Sequence, residues 1–129
     1  MSFFKNIFSS SEDSNSNENK ISWIKLTNLG QLDEIRMLSN EKPVAIFKHS
    51  TRCSVSRMAL KQFENEFDSS AKVTPYFLDL IAYRDVSNAI TNQFGVTHQS
   101  PQLILIKEGK AIYNVSHSDI DAEELGTKV

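Results

Sequence analysis

Only one of the 129 residues is a cysteine, Cys53. A single thiol cannot form a disulfide within its own chain, which excludes a secreted scaffold held together by disulfides. Unpaired thiols are typical of proteins from reducing compartments, so the sequence predicts a cytoplasmic protein.

The chain also lacks an excess of charge of one sign and a long apolar run. Fourteen basic and 16 acidic residues give a formal net charge of −2. Without a basic patch, nucleic acid is not an expected partner. No window approaches the ~20 apolar residues of a membrane helix, so no membrane span is expected. The apolar residues 1–8 are too few for a signal peptide.

Residues 9–20 consist mostly of serine, asparagine and glutamate, and nothing in them can fill a core. We therefore predict a flexible N-terminal segment over residues 1–20 and one folded domain over residues 21–129. The role of the apolar residues 3–8 within that segment stays open.

Strand and helix signals alternate through the predicted domain in the order β-α-β-α-β-α-β-β-α. The predicted strands are residues 21–26, 43–48, 76–80, 102–107 and 110–116. Such alternation is typical of an α/β fold in which helices flank a central sheet, and the final hairpin adds antiparallel strands to make the sheet mixed.

Local signals predict where the helices and the hairpin turn lie. The predicted helix caps are Asn28 with Gln31, Asp85, and Ser118 with Asp121. A helix after Cys53 is predicted from the spacing of Val55, Ala59, Phe63 and Phe67, with Met58 widening the apolar stripe. Gly95 is expected to end the third helix, and residues 108–109 to form a two-residue hairpin turn.

Cys53 lies at the junction between the second predicted strand and the helix after it. A buried apolar cysteine is the alternative interpretation, but the neighbouring residues 50–52, 54 and 56 are all polar. The helix N-terminus, the charge of Arg52 and the hydroxyl of Ser56 would each stabilise a thiolate, the form that attacks disulfides. We therefore predict Cys53, Arg52 and Ser56 as catalytic residues.

Three sequence blocks carry a resemblance to a known family. They are FKHSTRCSVS at 47–56, YRDVSN at 83–88 and GVTHQSPQ at 95–102. Over residues 21–125 the chain resembles the monothiol bacilliredoxins, the YtxJ-like family of the thioredoxin fold.

This resemblance implies a monothiol exchange on mixed disulfides between client proteins and bacillithiol, a small thiol. The Cys53 thiolate would release the client and itself become S-bacillithiolated, and a second small thiol or a reductase would restore it. Bacillithiol would be a co-substrate rather than a tightly bound cofactor. Ser56 stands where dithiol thioredoxins have their resolving cysteine, and Ser54 stands where the family often has proline.

The resemblance also implies a substrate-binding loop around Pro101. Pro101 corresponds to the cis-proline of thioredoxin folds, and it would turn the Ser100 backbone toward the thiol; a trans proline opening an edge strand is the alternative. His98 would approach the sulfur or the carboxylates of the bound thiol, or be an ordinary loop histidine. With Ser54, these residues are the predicted substrate-binding set.

Three further residues are candidates for the site or its surroundings. Tyr83 and Arg84 would hold an acidic ligand or lie in a solvated loop, and His49 is expected to pack at a strand end. Three scattered histidines do not form a zinc site, so no metal is predicted.

Two other functions stay open. Cys53 would also suit an iron–sulfur cluster carrier, although residues 53–56 lack the glycine that follows the cysteine in monothiol glutaredoxins. A non-catalytic interaction module, with residues 3–8 as a docking peptide, is the second alternative.

Overall fold

Within the part of the chain that the structure describes, a five-stranded sheet has helices on both faces. The computed structural model describes residues 21–68 and 72–129, so the predicted N-terminal segment lies outside the described residues and stays a prediction. The strands are β1 (Ile24–Lys25), β2 (Val44–His49), β3 (Thr74–Asp79), β4 (Gln102–Lys107) and β5 (Lys110–Ser116). The helices are α1 (Gly30–Leu38), α2 (Ser54–Glu66), α3 (Arg84–Phe94) and α4 (Ala122–Gly126), with a 3-10 turn at His117–Asp119.

The sheet is mixed, with the strand order β1-β3-β2-β4-β5. Strands β1 and β2 both run parallel to β3, whereas β4 runs antiparallel to β2 and to β5. This confirms the predicted α/β fold. Because β2 and β4 are antiparallel, the end of β2 and the start of β4 lie at the same edge of the sheet.

Each face of the sheet carries its own apolar core. One core packs under α1 and α3, and the other packs under α2 and α4. Alternate β2 residues serve the two faces, with Val44 and Ile46 in the first core and Ala45 and Phe47 in the second. A central strand covered on both faces explains the nearly continuous apolar run that predicted it.

Several local predictions are confirmed at atomic detail. The predicted reciprocal pair forms one residue before the Leu29 N-cap of α1: Asn28 Oδ1 accepts from the Gln31 N–H at 3.1 Å, and Gln31 Oε1 accepts from the Asn28 N–H at 3.2 Å. Gly95 ends α3 with φ 67°. Glu108 and Gly109 form the hairpin turn with φ 52° and 76°, which matches the twist of the flanking strands.

Two predicted helix caps are wrong. Helix α3 begins at Arg84, so Asp85 lies in its first turn, where its carboxylate accepts from the Val86 N–H at 2.8 Å. Ser118 lies in the 3-10 turn, and Asp121 alone caps α4 by accepting from two backbone N–H groups. In both cases a polar residue near the helix start fitted the N-cap pattern, but the helix begins at a different residue because of the way the chain enters it.

The predicted apolar stripe of α2 is wrong in its first turns. Val55 and Met58 are 46% and 72% exposed, whereas Phe63 and Phe67 are buried.

None of the helices within 21–68 and 72–129 is long and apolar enough to cross a bilayer.

Candidate functional site

Cys53 occupies the N-cap position of α2, just beyond the end of β2. Its backbone is extended, with φ −115° and ψ 122°. Its N–H donates to the Ser50 carbonyl at 3.2 Å, and its carbonyl accepts from the Arg57 N–H at 3.1 Å. The free thiol is half-buried. The first turn of α2 holds no acidic side chain, so the positive end of the helix dipole favours an anion at this position.

Ser56 stabilises the turn before Cys53 through hydrogen bonds of its hydroxyl. Its side chain is fully buried, and its hydroxyl accepts from the Ser50 N–H at 3.0 Å and pairs with His49 Nδ1 at 2.7 Å. The predicted hydrogen bond to the Cys53 sulfur is not among these contacts, because the hydroxyl faces the end of β2. Ser56 therefore holds residues 49 and 50 against α2, which positions the turn before Cys53.

His49 lies beneath this turn, packed at the strand end. It is 5% exposed, and its ring centroid lies 5.5 Å from that of Phe77. Burial lowers the pKa of His49; the Asp79 and Glu64 charges act against this effect, and the Arg57 charge acts with it. A neutral imidazole suits the short contact with the Ser56 hydroxyl.

Arg52 and Ser54 flank the thiol, and both side chains are exposed. Their predicted roles, charge stabilisation for Arg52 and substrate contact for Ser54, stay predictions.

The loop before β4 reaches the same sheet edge as the thiol. The Ser100–Pro101 peptide bond is cis, as predicted. Gln102 stabilises the loop by donating to the Thr97 carbonyl at 2.9 Å, and its backbone pairs with Lys48 of β2. Within the described ranges, the buried Ser100 hydroxyl has no hydrogen-bond partner.

Lys48 is a site residue that sequence reasoning missed. It lies one residue before the end of β2, is fully buried, and places Nζ 2.7 Å from Nδ1 of His98. Burial lowers its pKa from 10.5 to about 8. The signal was present in the sequence, because this lysine is the last residue of a run, 43–48, that is predicted to be covered on both faces.

His98 therefore faces Lys48 in this structure. Desolvation lowers the pKa of His98, and the charges of Lys48 and Arg84 lower it further. Near neutral pH the natural arrangement is a Lys48 ammonium that donates to a neutral imidazole. The sheet edge thus brings together Lys48, His98 and Arg84 from three separate parts of the chain.

The buried lysine leads to a prediction about stability and pH. Between pH about 8 and 10.5 the unfolded chain keeps the Lys48 proton that the folded chain has released, so this residue makes stability rise with pH there. We expect Lys48→Met to stabilise the protein at pH 7 by roughly 1–3 kcal/mol, with the gain shrinking across that window. Urea unfolding of both proteins at pH 7 and 9.5 measures this difference.

The exposed Lys107 on β4 offers the control, since Lys107→Met is expected to change stability by less than ~0.5 kcal/mol. A Lys48→Met protein that is less stable than wild type at pH 7 would show that burying this ammonium is not costly.

A half-buried thiol at a helix start, a cis-proline loop at the same edge and this strand order define a thioredoxin-fold protein. A solved structure described as a candidate oxidoreductase with a thioredoxin fold is 31% identical, with a TM-score of 0.70 over 81% of this chain and 90% of that chain. Malassezia sympodialis thioredoxin is 21% identical, with a TM-score of 0.66 over 88% of this chain and 93% of that chain. Saccharomyces cerevisiae mitochondrial thioredoxin 3 is 20% identical, with a TM-score of 0.62 over 82% and 93%.

A family match is more specific than these likenesses of fold. Residues 24–125 match the family described as monothiol bacilliredoxin BrxC. The chain therefore belongs to the monothiol bacilliredoxin BrxC family, and its function is thiol redox chemistry.

Proposed function

We propose that this protein removes bacillithiol from S-bacillithiolated cytoplasmic proteins by monothiol exchange at Cys53. The observation that carries the proposal is a single half-buried thiol at the N-cap of α2, with serine at the position of a resolving cysteine. Bacillithiol serves as co-substrate.

The exchange moves one disulfide and requires no outside oxidant. The Cys53 thiolate attacks the bacillithiol sulfur of the client's mixed disulfide, a bond forms between these two sulfurs, and the client thiolate leaves and takes a proton from water. A second bacillithiol thiolate then attacks the adduct on Cys53, which frees Cys53 and yields bacillithiol disulfide. The Ser56 hydroxyl is not a competent attacking group, so the adduct persists until that second thiol arrives.

The surroundings of the thiol suit a protein client. Val55, Met58 and Ile120 line a groove of about 200 Å³ beside the start of α2, and two of these apolar side chains are exposed. We assign pairing with an extended client segment to the Ser100 backbone, because Pro101 has no N–H and its carbonyl already accepts from the His117 N–H at 3.1 Å. We assign further client contacts to the exposed side chains of Arg52 and Ser54, which flank Cys53.

Intact-mass spectrometry tests the proposal. Pure protein is mixed with a client carrying one bacillithiol, and a client carrying glutathione is the control. We expect one bacillithiol adduct on Cys53, with matching loss from the client, and slower transfer of glutathione. If the fold is intact and the thiol free but no adduct moves, the protein is not an exchange protein and the binding-module alternative takes precedence.

A further inference from the structure

Lys48 and His98 meet at the sheet edge that holds the thiol, on the α3 side of the sheet, and the charge of Arg84 acts on His98 there. Lys48 follows Val44 and Ile46 in the alternation of β2, so it points to the face covered by α1 and α3. Its Nζ meets His98 Nδ1 at 2.7 Å, and Arg84 is the first residue of α3. Their charges act on one another, because Lys48 and Arg84 both disfavour protonation of His98.

This basic cluster lacks an acidic counterpart among the residues that the structure describes. The two ion pairs there, Arg36–Asp33 and Lys128–Glu124, involve none of its members. From residues 21–68 and 72–129, no carboxylate charge acts against the burial that lowers the pKa of Lys48, and none acts on the pKa of His98. A buried ammonium whose hydrogen-bond partner is a neutral ring is costly, and an anion would offset that cost.

The same edge holds a buried hydroxyl group without a hydrogen-bond partner among the described residues. It belongs to Ser100, two residues after His98. A hydroxyl and a basic cluster next to a thiol-exchange site together suit a ligand that is both anionic and rich in oxygen acceptors.

We propose that Lys48, His98 and Arg84 form a carboxylate-binding subsite, which holds an acidic group of the small thiol while its sulfur is exchanged at Cys53. The subsite rests on the proposed function, and it would select thiols that carry a carboxylate over neutral ones. The exposed His98 and Arg84 side chains would contact the carboxylate, and the buried Lys48 ammonium would add its positive charge from behind His98.

The test compares two adducts of one client. One carries bacillithiol, whose malyl part bears carboxylates, and the other carries 2-mercaptoethanol, which is neutral. We expect the wild type to remove bacillithiol from the client at least about tenfold faster than it removes 2-mercaptoethanol. Arg84→Gln and Lys48→Met should lose most of that preference while their rates on the neutral adduct stay within about twofold. Lys110→Gln, at the opposite sheet edge, should behave as wild type.

The outcomes separate this proposal from the one on which it rests. Transfer from both adducts with no preference, or variants that slow both adducts equally, would overturn the subsite and leave the exchange function standing. No transfer from either adduct would overturn the exchange function and the subsite together.

A binding measurement provides a readout that needs no reaction. L-malate is titrated into the reduced protein, and the His98 ring resonances are followed by NMR. We expect a saturable shift in the wild type that is absent in Arg84→Gln, whose exposed position makes misfolding a poor explanation. Resonances that do not move in the wild type would argue against the subsite.

Discussion

Replacing Cys53 with serine is expected to abolish release of bacillithiol from an S-bacillithiolated client. A serine hydroxyl is not ionised at neutral pH and does not attack disulfide sulfur, so the rate should fall to that of the uncatalysed reaction, a loss on the order of a thousandfold or more. Serine is close to cysteine in size and is a good N-cap residue, so α2 should still begin at residue 54. Mass spectrometry of client samples quenched at successive times measures the rate.

The matched control removes a different sulfur. Met37 on α1 is 73% exposed, and Met37→Ser should leave both transfer and the unfolding midpoint unchanged. If Cys53→Ser keeps more than a few per cent of the wild-type rate, the chemistry does not pass through this thiol.

Truncating Phe63 to alanine is expected to cost about 3–5 kcal/mol of unfolding free energy. Phe63 is 1% exposed, and its ring packs against Phe47 at 5.6 Å, Phe67 at 5.6 Å and Trp23 at 6.0 Å between centroids. The cavity would open in the core that joins α2 to the sheet. Because domains of this kind have only ~5–15 kcal/mol of stability in total, urea unfolding followed by circular dichroism should show a much earlier transition.

Met58→Ala on the same helix is the comparison. Met58 is 72% exposed, so its truncation should change stability by less than ~0.5 kcal/mol. A loss below ~1 kcal/mol for Phe63→Ala would mean that the aromatic cluster does not anchor α2.

Periodicity predicted the elements well where one physical cause dominates. The buried strand β2, the hairpin around Gly109 and the capping pair Asn28–Gln31 each depend on neighbours close in the chain or on a simple in-and-out pattern. The pattern failed at Val55 and Asp85, where the path of the chain relative to the sheet decides which residues are covered and where a helix begins.

The candidate site divides in the same way. A lone thiol at a strand-to-helix junction is visible in the sequence, and so is a proline placed to open a strand. The partners of Ser56 and His98 were not predictable, because a hydroxyl or an imidazole near a sulfur in sequence has several groups within reach in space. The sequence did not predict Lys48 as a site residue, because lysine side chains normally lie in solvent.

By itself the sequence determined the fold class, the single thiol and the absence of an internal resolving cysteine. Each of these follows from residue type and spacing along the chain. Only the tertiary structure decided that the Ser56 hydroxyl binds His49 and the Ser50 backbone, and that Lys48 is buried against His98, 50 positions away. The antiparallel pairing of β2 with β4 brings those distant segments to one edge, and such pairing depends on the packing of the whole sheet.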